Sequence, residues 1–162
     1  MANDGGLIAQ IEDWMAATLA ALTWGTGDDE EAVFKTAEVW RHQIAATAAG
    51  QEAFARYEPF AFIAYSGADA AREGDYDLRQ VLEFSVLIGV EAKTAGDARR
   101  GTAARLGTSK IRDRVITALD RQHPGGELDC DEFYYTGEYE VFDSPTRHAI
   151  EMKFETSQLT VT

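Results

Sequence analysis

Leu78-Arg79-Gln80-Val81-Leu82-Glu83-Phe84-Ser85-Val86-Leu87-Ile88-Gly89-Val90-Glu91-Ala92 is the stretch on which the fold turns. Leu78, Leu82, Phe84, Val86, Ile88, Val90 and Ala92 hold even positions, while Arg79, Glu83, Ser85, Glu91 and Lys93 hold odd ones. Side chains along a strand alternate between faces, so this spacing predicts a long, half-buried β-strand over 78–92. Val81 and Leu87 interrupt the polar side, which predicts cover over part of the second face too.

Towards the N-terminus, Phe60-Ala61-Phe62-Ile63-Ala64-Tyr65 is almost wholly apolar and reads as a strand buried on both faces. Pro59 stops any helix before it. Residues 43–57 are Ala-rich and favour helix, with Gly50 weakening the middle. Ala32 to Trp40 reads as a strand carrying Val33, Phe34, Val39 and Trp40. Residues 4–22 place Leu7, Ile8, Ile11, Met15, Leu19 and Leu22 at three- and four-residue steps, the mark of an amphipathic helix. Asn3 or Asp4 suits its start and Gly25 its end.

Towards the C-terminus the composition turns Gly-, Ala- and Arg-rich, and a basic loop is expected near 93–107. A helix follows over 108–121, with Thr108 or Ser109 as cap and Ile111, Val115, Ile116 and Leu119 as buried stripe. His123-Pro124-Gly125-Gly126 closes it. A C-terminal β-hairpin is expected near 132–160. Phe133, Tyr135, Tyr139 and Val141 share one parity, Ile150, Met152 and Phe154 share another, and Asp143-Ser144-Pro145-Thr146 forms the turn. The whole chain, 1–162, then reads as a single α+β domain: an antiparallel sheet of about four strands with helices packed on one face.

A formal net charge of −13 argues against a grip on nucleic acid, because such affinity comes from cations displacing counterions around phosphates. No apolar run approaches the roughly 20 residues of a membrane span, so no membrane partner is expected. The start, Met-Ala-Asn-Asp-Gly-Gly, does not read as a secretory signal. Cys130 is the only cysteine, so no intramolecular disulfide can form and folding in a reducing cytoplasm is expected.

No constellation points to catalysis. His42, His123, His148 and Cys130 lack metal-ligand spacing and read as exposed or structural. Asp28-Asp29-Glu30-Glu31 lacks the alternating ligands and glycine of a calcium loop. Gly25-Thr26-Gly27 is followed by no Gly-Lys-Ser/Thr, and neither Ser66 nor Ser144 sits in a nucleophile elbow. Cys130 stands among Asp129, Asp131 and Glu132, whose charge should raise its pKa. No enzyme, catalytic residue, cofactor or metal site is expected.

Two features bear on association. The basic stretch is either a solvated loop or a flexible arm whose Lys93, Arg99, Arg100 and Arg105 dock on an acidic surface of a neighbouring subunit. On the second reading, Arg99, Arg100 and Arg105 changed to Glu would weaken association without unfolding the subunit. Tyr134, Tyr135 and Tyr139 are either interface aromatics or core and cross-strand pairs.

The layout also carries a resemblance. The strand Val81-Leu82-Glu83-Phe84-Ser85-Val86-Leu87-Ile88-Gly89-Val90 leads into Gly96-Asp97-Ala98-Arg99-Arg100-Gly101. The helix Ser109-Lys110-Ile111-Arg112-Asp113-Arg114-Val115-Ile116-Thr117-Ala118-Leu119 follows, and a last strand ends Met152-Lys153-Phe154-Glu155-Thr156. This order resembles the Mu-like phage family of small tail proteins, tail terminators or tail-completion proteins, over roughly 60–160. The N-terminal helix and the strand from Pro59 fit the same layout, while the resemblance is weak over 25–57, where this sequence carries extra Ala-rich material. The resemblance implies a tail-terminator-like fold and a homohexameric ring at the head-proximal end of the virion tail. Such a ring caps the tail tube and offers the head a docking surface. Its partners would be itself, tube and sheath proteins and a neck or connector protein, with DNA only as passing cargo. Two alternatives stand beside it: a neck or head–tail connector protein, and a small cytoplasmic binding domain unrelated to virions.

Overall fold

The computed structural model describes residues 5–41, 54–73 and 77–161. Its backbone is a mixed α+β arrangement. Helix α1 (Leu7–Ala20) leads into a small hairpin of β1 (Thr23–Trp24) and β2 (Glu31–Ala32). The main sheet holds β3 (Thr36–Val39), β4 (Phe60–Glu73), β5 (Asp77–Glu91), β8 (Tyr134–Asp143) and β9 (Arg147–Val161) in the order β3-β4-β5-β9-β8. Between β5 and β8 lie α2 (Ala95–Arg100), a tight hairpin of β6 (Gly101–Thr102) and β7 (Arg105–Leu106), and α3 (Thr108–Leu119). Among the described residues no helix is long and apolar enough to cross a membrane.

The alternation over 78–92 is realised in β5. Leu82, Phe84, Val86, Ile88 and Val90 are buried beneath Ile11, Met15 and Leu19 of α1 and Ile111, Val115 and Leu119 of α3. Phe84 pairs with Phe154 and Val86 with Met152, so β9 turns its even residues to the same core. The second face is covered at one end, where Leu87 packs with Phe54, Phe60, Phe62 and Ala149.

The sheet departs from the expected four antiparallel strands. Among the described residues it has five, and β3 runs parallel to β4, with Thr36 paired to Phe60 and Val39 to Ile63. About twenty residues separate these two strands, ample for the return crossover that parallel pairing needs. Ala32 to Trp40 is not one strand. Val33 and Phe34 leave the extended path to fill the core, and Lys35 N donates to Pro59 O at 2.8 Å. Residues 54–57 are helical and end before Pro59 as expected. The rest of the Ala-rich segment, His42, and the expected caps Asn3 and Asp4 lie outside the described residues.

The C-terminal hairpin forms, but its parity is not constant. Irregularities between Tyr135 and Gly137 and between Glu140 and Phe142 each add a residue to β8. An extra residue reverses which face the following side chains meet. Tyr135 therefore packs at the core beside Phe154, while Tyr139 and Val141 are 52% and 49% exposed. The cap of α3 also differs. Gly107 holds the N-cap position, and Thr108 is buried with its hydroxyl on His148.

Candidate subunit interface

The segment expected as a basic loop is ordered. Thr94 Oγ1 accepts from Asp97 N at 3.1 Å, a capping contact that starts α2 despite Gly96. Gly101 then turns the chain with φ +81°, a value glycine reaches freely. Ala98 and Leu106 are buried, so this segment packs down and is not a flexible arm.

That packing divides the four expected interface cations. Arg99 donates to Glu140 Oε2 at 3.1 Å. Arg105 pairs with Glu58, whose carboxylate also accepts from Glu91 N at 3.1 Å. Both arginines are thus engaged inside the subunit. Lys93 and Arg100 are exposed and make no ion pair or side-chain hydrogen bond among the described residues. Lys110, on the solvent side of the first turn of α3, is in the same condition. Its signal in the sequence was its place beside Ile111, which turns inward.

The acidic charge gathers elsewhere. Glu127, Asp129, Asp131 and Glu132 are exposed in the loop between α3 and β8. Asp131 N donates to Ser157 O at 2.8 Å and Thr156 Oγ1 to Asp131 O at 2.7 Å, so the loop lies beside β9 where Ser157 faces Val81. Tyr134, 52% exposed, continues this surface along the free edge of β8. The basic corner begins just past Glu91. Ten residue steps along the strand lead from Val81 to Glu91, a span of about 33 Å.

Two clusters bring together residue types found in reactive centres. On the outer face, Lys153 Nζ donates to Ser85 Oγ at 2.7 Å and to Ser66 Oγ at 3.3 Å, and the two hydroxyls touch. A lysine that activates serine must be neutral. Burial works against the charge of Lys153, but hydrogen bonds to Glu151 and Glu83 outweigh it and hold the ammonium above its ordinary range. The cluster is an ionic staple across β4, β5 and β9, and Tyr139 of β8 joins it through Glu151. On the helix side, Thr108, His148 and Glu140 stand in the order nucleophile, base, acid. Thr108 is 1% exposed, so no substrate reaches its hydroxyl.

Compared with protein-family models the chain finds no match, and a search of curated proteins finds none either.

Cys130 is held above its ordinary thiol pKa first by burial and then by Asp131 and Asp129, with a hydrogen bond from Thr156 acting the other way. The direction is the one its acidic neighbours suggested, but its larger cause was not legible from them. His123 is exposed and contacts Cys130 O through Nε2 at 2.8 Å. Among the described residues no group of three or more His, Cys, Asp or Glu side chains is placed to hold a metal.

Proposed function

We propose that this chain is a structural protein of a phage tail, a Mu-like tail terminator. Copies of it form a ring, on the family's pattern a hexamer, that caps the tail tube at its head-proximal end and presents the surface on which the head docks. One observation carries the reading. The segments on which the resemblance rests fold into a continuous unit: β5 and β9 pair from Asp77↔Val161 to Glu91↔Arg147, β8 closes the edge, and α3 buries its stripe on the β5–β9 face. A terminator works by closed contact. A ring leaves no growing face, whereas an unclosed head-to-tail contact would go on polymerising. The surplus of negative charge suits a conduit through which DNA passes without sticking.

Deleting the gene and viewing lysates by electron microscopy tests this. Overlong tails without heads are expected. Tails of normal length beside unjoined, leaking heads would instead assign a connector role, and unchanged virions would remove the protein from assembly altogether.

A further inference from the structure

The exposed cations of this corner and the acidic loop are separate surfaces of the subunit. Lys93, Arg100 and Lys110 lie at the end of the sheet where β5 leaves for α2, while Asp131 of the loop 127–132 bonds to Ser157, opposite Val81 and about 33 Å along β5 from Glu91. We infer that the corner formed by Lys93, Arg100 and Lys110 docks on the surface formed by loop 127–132 and Tyr134 of a second copy of this chain. The inference rests on the ring reading and adds which faces meet.

Three features carry it. Among the described residues Lys93, Arg100 and Lys110 hold no carboxylate, unlike Arg99, Arg105 and Arg147, each of which pairs with one of its own subunit. The receiving loop is already fixed by the bonds of Asp131 to β9 and by Cys130 N donating to Leu128 O at 3.0 Å, so docking costs little ordering. Tyr134, two residues past Glu132 and half exposed, adds an open aromatic face on which a guanidinium can stack. Each copy carries one surface of each kind, so the contact is head-to-tail and propagates until a ring closes. Opposite charge steers the encounter and rejects the reverse pairing, in which acid would face acid.

Sedimentation velocity on the full chain tests the docking. Two variants are compared with the parent, Lys93→Glu/Arg100→Glu/Lys110→Glu and Glu127→Lys/Asp129→Lys/Glu132→Lys. Each alone is expected to self-associate at least about tenfold more weakly, since like charges then meet. Mixed in equal amounts they should recover assembly, because the reversed corner of one fits the reversed loop of the other. Milder changes, Arg100→Gln with Lys110→Gln, replace the first variant if it does not fold. Variants that stay folded and assemble like the parent would overturn the docking and leave the ring reading standing. A parent that stays monomeric at high concentration would overturn both. Duplex DNA bound by the parent and released by the corner variant would overturn the docking and assign the corner to nucleic acid.

Discussion

His148 stands between Thr108, whose Oγ1 lies 2.5 Å from Nδ1, and Glu140, whose Oε2 lies 2.8 Å from Nε2. One imidazole thereby ties the first residue of α3 to β9 and β8. Arg99 reaches the same Glu140 oxygen at 3.1 Å, which draws α2 into the tie. The elements that present the basic corner are joined through this ring as well as by their buried faces.

Its removal should be costly. Thr108 is buried, so in His148→Ala its hydroxyl has no water to turn to, and a cavity is left as well. A loss of about 2–4 kcal/mol is expected from these two terms together. Thr108→Val keeps the volume and should cost about 1–2 kcal/mol by stranding the ring nitrogen alone. Urea unfolding of both variants measures this, and a His148→Ala midpoint equal to that of the parent would refute the role.

The outer-face staple makes stability depend on pH at both extremes. Burial alone would push the Glu151 carboxyl up, but hydrogen bonds from Tyr139, Ser85 and Lys153 outweigh it and hold it below its ordinary 4.5. A depressed carboxyl contributes stability that is present above that value and lost as pH falls through the folded pKa. Tyr139 behaves oppositely. Its hydrogen bond to Glu151, with burial second, raises the phenol above 10.0, so that contribution is present below 10.0 and is lost as pH rises past it. In Lys153→Met burial acts on Glu151 with less opposition, so its carboxyl is less depressed, and the acid-side loss should be smaller and end at higher pH. Urea midpoints followed across pH for parent and variant show whether the acid limb moves; an unmoved limb would remove Lys153 from the account.

How much of this was legible follows from the range of each interaction. The β5 strand and the α1 and α3 stripes declare themselves because a face buried over many residues imposes its period on the sequence. The bulges of β8 leave no such trace, since one added residue changes the facing of Tyr139 without changing its composition. Parallel pairing of β3 was hidden for another reason. Its four residues are too few to show a period, and their partner lies beyond a long crossover. The short α2 did leave a signal, Thr94 three residues before Asp97, which the glycines around it masked. Composition located the basic corner. It could not separate Arg100 from Arg99 and Arg105, because their carboxylate partners, Glu140 and Glu58, are distant in sequence.

Gly107 sets how closely α2 approaches α3. A Cβ there would stand 2.3 Å from Gly101 N and 2.6 and 2.7 Å from the carbonyl carbons of Arg100 and Arg99. These are backbone atoms, so no side chain can swing aside. Gly107→Ala should cost about 3 kcal/mol, the upper range for overpacking. Gly125 is the control: its φ of +79° strains any other residue, but its Cβ would meet nothing within 4 Å. About 1 kcal/mol is expected for Gly125→Ala. Thermal unfolding ranks the two, and equal losses would show that the helix contact yields.

The basic corner offers a sharper division, because the sequence treats as alike arginines that the fold uses differently. Arg105→Glu places a carboxylate against Glu58, which is 13% exposed and has lost its cation. The subunit itself should be destabilised, by on the order of 2 kcal/mol, since an acceptor with little water loses its charged donor. Arg100→Glu touches no partner among the described residues and should leave unfolding within about 0.5 kcal/mol of the parent. Reversing Arg99, Arg100 and Arg105 together therefore cannot test association cleanly, contrary to what the sequence suggested: the subunit weakens along with the contact. Guanidinium unfolding of the two single variants decides the point. Equal stabilities would mean that the Arg105–Glu58 pair contributes nothing and that the corner is one undivided surface.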